Sequence, residues 1–325
     1  MISPTRISYW FILATFLLVG ALHLGTPLLA ALFSYFLLER LRWMKSKWLA
    51  ILLFVLLLLA GSFALAGFTA QAVVALPAVA EKAIPSIIDY AKAHGIELPF
   101  TDWESLKAVL VETATDQAQY VGRFATGATR ELVFVIIAIV VAVTLFVRPE
   151  IDLDRDRHPL RNNLYSLTAE AIASRFRLFY ASFTTVMGAQ LVISTINTAL
   201  TTVFVLAIGL PNAVVIVGVT FLCGLLPVVG NLISNTIIVA VAFTLSPRTA
   251  LLALVFLVVI HKLEYFLNGK IVGDRIRNPV WLTLLALVLG EGLMGIPGMV
   301  LAPVVLSYVK KEALKIEVKE AGVPE

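Results

Sequence analysis

Charge is what this sequence has least of. Only 14% of its 325 residues are Asp, Glu, Lys or Arg, and 60% are hydrophobic, with a mean hydropathy of +0.94. Soluble domains carry about 25% charged residues. The scarcity is also local: residues 178 to 247 form a 70-residue stretch without a single Asp, Glu, Lys, Arg or His. One bilayer crossing takes roughly 20 apolar residues, so this stretch alone holds material for about three passes. That excludes a soluble globular protein.

Cysteine is nearly absent too. Cys223 stands alone inside the apolar stretch, which excludes an intramolecular disulfide and a cysteine-built metal site; it reads as a small packing residue. Catalytic signatures are missing: no His-Glu-x-x-His, no Gly-x-Ser-x-Gly and no P-loop. The chain therefore reads as a non-enzyme without catalytic residues, cofactor or resident metal. Without a P-loop, any active transport must draw on an ion gradient or on another subunit. His94 and His158 sit in polar segments without partner ligands. No basic, aromatic-interleaved patch suggests nucleic acid, so the net charge of +4 bears on membrane orientation. The apolar run after Arg6 has no small-residue cleavage site behind it and reads as an uncleaved membrane segment.

What the chain does have is apolar runs cut by Gly and Pro. Four segments read as full spans, at about 49–75, 131–147, 181–208 and 249–267. Three more read as broken hairpins at 7–38, 213–245 and 279–309, the first interrupted at Gly25-Thr26-Pro27. The expected fold is an all-α polytopic integral membrane protein whose hairpins can be re-entrant. Residues 1–75 form the N-terminal hairpin and first span. Residues 76–130 mix acids and bases with apolar positions at helical spacing and read as amphipathic helices outside the bilayer. A short span and charged segment follow at 131–180, then a transport core at 181–310 and a tail at 311–325.

Basic residues give a direction. With the N-terminus inside, 19 of the 25 Lys and Arg residues fall on the inner side and 6 on the outer. Positive-inside asymmetry then puts both termini in the cytoplasm and 76–130 outside it. Non-helical backbone within a bilayer must be buried in protein or line a wet cavity, and paired broken segments point to a transporter's binding site.

The second half of the chain carries an ordered series: Gln190, Asn197, Gly209-Leu210-Pro211, Leu226 to Asn231 (LPVVGN), Glu264 to Gly273 (EYFLNGKIVG), Asn278-Pro279 and Gly295 to Pro303 (GIPGMVLAP). In order and spacing it resembles the autoinducer-2 exporter family, the PerM-like permeases, and the N-terminal hairpin with Pro27 and its basic loop fits as well. The resemblance implies about eight membrane segments in a bacterial inner membrane. It also implies a secondary transporter or exporter of a small, autoinducer-2-like polar solute, with sodium or proton exchange in some members, and a homo-oligomer. Tyr265, Gly269 and Glu291 depart from the commoner family pattern, which points to a subfamily with its own cargo.

Candidate pathway residues follow from the pattern. Gln190, Ser194, Asn197 and Thr201 are spaced 4, 3 and 4 apart and share one helical face, either lining a solute path or bonding to a neighbouring helix. Pro227, Gly230, Asn231 and Asn235 lie at the tip of the 213–245 hairpin, which is either a solute-binding break or a plain tight turn. Glu264 and Glu291 are carboxylates in apolar segments, a costly placement that points to cation or proton binding. For Glu264 the alternative is an interfacial pair with His261 at i−3. Glu291, 13 residues after Asn278, lies about 20 Å along a helix, unless the turn reaches the far interface and solvates it. Membrane lipid, the solute and sodium or protons are the expected partners.

Overall fold

A computed structural model describes residues 3–96, 130–149, 163–226, 229–272 and 279–316, and within them the secondary structure is helical throughout. The order is α1 (Pro4–Ala21), α2 (Gly25–Arg40), a single 3-10 turn (Leu41–Trp43), α3 (Lys47–Ala93), α4 (Arg130–Val147), α5 (Leu164–Ile208), α6 (Ala213–Gly224), α7 (Val229–Phe243), α8 (Pro247–Val272), α9 (Val280–Met294) and α10 (Ile296–Ala313). The protein is all-α and polytopic. By length and composition α1, α3, α4 and α5 are each able to cross a membrane.

Two helices outrun the bilayer. α3 has 47 residues and α5 has 45. At 1.5 Å per residue each is about 70 Å long, against a hydrocarbon core of about 30 Å. The boundaries expected at 75/76 and 180/181 therefore fall inside continuous helices. At the first, the amphipathic pattern continues α3 through Pro77 and Pro85 rather than starting a new helix. Val79, Ala83, Ile88 and Ala91 are buried along this extension, and such packing offsets the roughly 3 kcal/mol that an interior proline costs. The helix ends just before Gly95, which has φ +65°. The rest of the 76–130 region lies outside the described residues.

Chain contacts divide the molecule into two units whose segments alternate along the sequence. Unit 1 comprises Met1–Ile51, Phe134–Gly188 and Val272–Glu325; unit 2 comprises Leu52–Val133 and Ala189–Ile271.

In unit 1 two helical hairpins, α1–α2 and α9–α10, pack together. The first turns at Leu22–Leu24, ahead of the expected Gly25-Thr26-Pro27, and His23 takes the positive φ of 52°. Gly25 serves another purpose: a Cβ there would lie 2.8 Å from the Cβ of Pro297 and 3.1 Å from that of Met294. The second hairpin turns on Gly295 (φ +64°, ψ −144°), a conformation for glycine. Behind that turn Gly290 and Gly298 pack backbone to backbone, so any side chain at either would collide. Phe16, Phe179 and Tyr308 join α1, α5 and α10, with ring centroids 5.1 to 6.2 Å apart.

Unit 2 is built around a core of Val205, Ile216, Ile238, Val241, Ala253 and Leu257 from α5, α6, α7 and α8. Phe204 and Phe256 stack with centroids 4.1 Å apart. Its central feature is the hairpin of α6 and α7, which have 12 and 15 residues. Those lengths correspond to about 18 and 22 Å, short of a full crossing.

Candidate functional site

The polar stripe on α5 divides into two halves with different partners. Gln190 Nε2 donates to the Gly224 carbonyl at 2.5 Å, and Ser194 Oγ donates to the Phe221 carbonyl at 2.9 Å. Both acceptors belong to the last turn of α6, whose carbonyls have no intrahelical donor. The upstream half of the stripe thus caps α6 from outside. Gly224 allows the approach, since a Cβ there would meet Ser194 Oγ at 2.5 Å.

One helical turn further, Asn197 and Thr201 are 6% and 2% exposed and face a small polar cavity. Two α7 residues at helical spacing, Asn231 and Asn235, line it with Ser234 between them. α8 supplies Leu257, His261 and Glu264, spaced 4 and 3 along one face, and α6 supplies Thr220. Four helices of one unit therefore converge on the cavity.

Glu264 is its single carboxylate, half-buried, and accepts a hydrogen bond from Asn231 Nδ2 at 2.5 Å. Thr220 Oγ1 donates back to the Ile216 carbonyl at 2.8 Å, which leaves its lone pairs free to accept. Asn197 Oδ1 is buried without a hydrogen-bond partner. A buried amide oxygen left without any partner costs on the order of 1–3 kcal/mol, so an occupant of the cavity that bonds it would be stabilising. The cavity has a volume of about 10 Å³, room for about one water-sized occupant. Its donor set is oxygen-rich with one formal negative charge, suited to a small cation, a protonated carboxyl or a bound water. Among the described residues no group of three His, Cys, Asp or Glu side chains is placed to hold a metal.

The other candidates fall elsewhere. Gly230 is buried in the first turn of α7 against the Cys223 carbonyl, where any Cβ would collide; its part is close packing of the α6–α7 hairpin. Pro227 lies outside the described residues. Glu291 belongs to unit 1, exposed in the last turn of α9, four residues before the Gly295 turn. Thr220 escaped the sequence reading. Its signal was faint but present: a lone hydroxyl within the apolar run Ala213–Gly224.

A "Putative transport protein YdbI" of Bacillus subtilis (strain 168) is 27% identical over 154 residues, which cover 43% of this chain and 44% of that protein. The match thus spans less than half the length of the relative. No solved structure matches the chain. The model of the AI-2E family transporter matches residues 7–316, nearly the whole chain, which therefore belongs to the AI-2E transporter family.

Proposed function

We propose that this membrane permease is a secondary transporter of a small polar solute, and that the unit 2 cavity is where a cation or proton couples to its movement. The observation carrying this reading is the joint presence of Glu264, held by Asn231, and the unpartnered Asn197 Oδ1 around one cavity. Each is expensive inside a bilayer, and together they form an acceptor set suited to a positive occupant. At about 10 Å³ the cavity takes an ion or a water and not a multi-carbon molecule. Passage of the solute itself then requires a second conformation, as alternating access demands. The resemblance to autoinducer-2 exporters supports a small polar solute as cargo and a bacterial inner membrane as the location, and the basic-residue bias supports cytoplasmic termini.

Flux into proteoliposomes tests the proposal. Uptake should follow an imposed pH or sodium gradient in the wild type and lose that dependence in Glu264→Gln. Flux indifferent to every ion gradient would favour a passive oligomeric channel, and absence of flux with any solute would favour a scaffold.

A further inference from the structure

A short basic turn joins α2 to α3 in unit 1. Residues 7–38 before it and 48–80 after it contain no Asp, Glu, Lys or Arg, whereas Arg40, Arg42, Lys45 and Lys47 fall within eight positions. Apolar runs on both flanks put such a turn at the level of the lipid headgroups, where hydrocarbon gives way to water. The turn is anchored from both sides. Leu38 and Leu41 are buried where α2 ends, and Ala50 and Phe54 are buried where α3 begins.

The charges divide by what they meet. Glu39, the one acid in residues 39–48, accepts from Tyr180 Oη at 2.6 Å. Lys47 Nζ donates at 2.9 Å to the carbonyl of Val147 at the end of α4, where last-turn carbonyls have no intrahelical donor. The Arg40 guanidinium lies 5.1 Å over the Phe36 ring. Among the described residues Arg42 and Lys45 have no hydrogen-bond, ion-pair or ring partner, and both are exposed. Trp43 and Trp48, which alternate with them, are 80% and 77% exposed. An indole N–H only donates, and neither finds an acceptor among the described residues. Two unpaired cations and two indole donors thus share one anchored turn.

We propose that this turn is a binding surface for anionic phospholipid headgroups, with Arg42 and Lys45 on phosphate oxygens and Trp43 and Trp48 at the glycerol level beside them. Clusters of about four to eight bases next to a membrane helix select anionic lipids by charge. Tryptophan sits at the same depth, with its ring against hydrocarbon and its N–H in the polar layer. Charge also argues against a second copy as the occupant. Two chains meeting here across a two-fold axis would set Arg42 and Lys45 against their own counterparts, and like charges facing each other are unfavourable.

Quenching of tryptophan by brominated lipid tests it. In the full-length chain with Trp10→Phe, Trp103→Phe and Trp281→Phe, Trp43 and Trp48 report alone. In phosphatidylcholine vesicles, half-maximal quenching should need about fivefold less brominated phosphatidylglycerol than brominated phosphatidylcholine of identical acyl chains. Arg42→Gln with Lys45→Gln should bring the two lipids level and leave quenching by phosphatidylcholine as it was. Arg248→Gln, at an exposed base of unit 2, should keep the preference, which separates this turn from the net charge of the chain. If the triple replacement does not fold, the native chain is compared with its Trp43→Phe, Trp48→Phe variant, and the quenching lost between them gives the same readout. Equal quenching by the two lipids, a preference undiminished by Arg42→Gln with Lys45→Gln, or one abolished by Arg248→Gln would overturn the proposal. So would a lipid-free oligomer that Arg42→Gln with Lys45→Gln dissociates, which would assign the turn to a second copy.

Discussion

At the scale of single residues, the clearest demands are steric and are met by glycine. Gly230 and Gly298 press against the backbone carbonyls of Cys223 and Gly290, whereas Gly292 has open space at the Cβ position. Gly230→Ala and Gly298→Ala should each lower the thermal unfolding midpoint, at a cost of about 1–3 kcal/mol or more, because backbone must move. Gly292→Ala, inside α9, should be neutral or stabilising by about 0.5–1 kcal/mol, since alanine favours helix. Equal losses in all three would contradict the contact geometry. Asn197 has the opposite character, a polar group kept where it lacks a partner. Asn197→Leu should leave the unfolding midpoint unchanged or raised while reducing ion-coupled flux at least about tenfold, the mark of a residue retained for binding. None of this partition was legible in sequence. Helical spacing puts Gln190, Ser194, Asn197 and Thr201 on one face, and it carries no information about which members meet a neighbouring helix end.

At the scale of elements, helix length decides what each segment can do. α6 and α7 are too short to cross, so their tip should stay within the membrane on the side from which the hairpin enters. In a Cys223→Ser background, Asn212→Cys and Leu225→Cys should react with an impermeant thiol reagent from the same face. Labelling of Leu225→Cys from the opposite face alone would make the pair a full span. The ends of α1, α5 and α10 are tied by Arg175, Glu312 and Tyr9. Breaking one member of a buried ion pair costs roughly 3–5 kcal/mol. Arg175→Met should therefore destabilise strongly, and Arg175→Met with Glu312→Gln by less than the two separate losses added together; strict additivity in thermal unfolding would deny the coupling. The broken hairpins themselves were readable, because Gly and Pro punctuate the sequence directly. The 22–24 turn and the run of α3 past residue 76 were not, because a tolerated proline and a proline that ends a helix look alike until packing is known.

At the scale of the whole molecule, the chain forms two interleaved units through which α3 and α5 both run. Local damage should stay local. Hydrogen exchange in Gly298→Ala should rise in α9 and α10 and leave α7 as in the wild type, while Gly230→Ala should do the reverse. Uniform loss of protection in both variants would mean that the units do not open separately.

The sequence by itself determined the solvent this protein lives in, its helical class, the existence of its broken hairpins and its family, because these follow from hydropathy, punctuation and an ordered set of short motifs along one dimension. Only the tertiary structure decided that Glu264, Asn231, Asn197 and Thr220 share a cavity, that Gln190 and Ser194 cap α6, and that Glu291 belongs to the other unit. The physical reason is that a polar side chain in an apolar helix needs a partner or an occupant, and which one it has depends on helices 20 to 70 residues away in the chain but next to it in space.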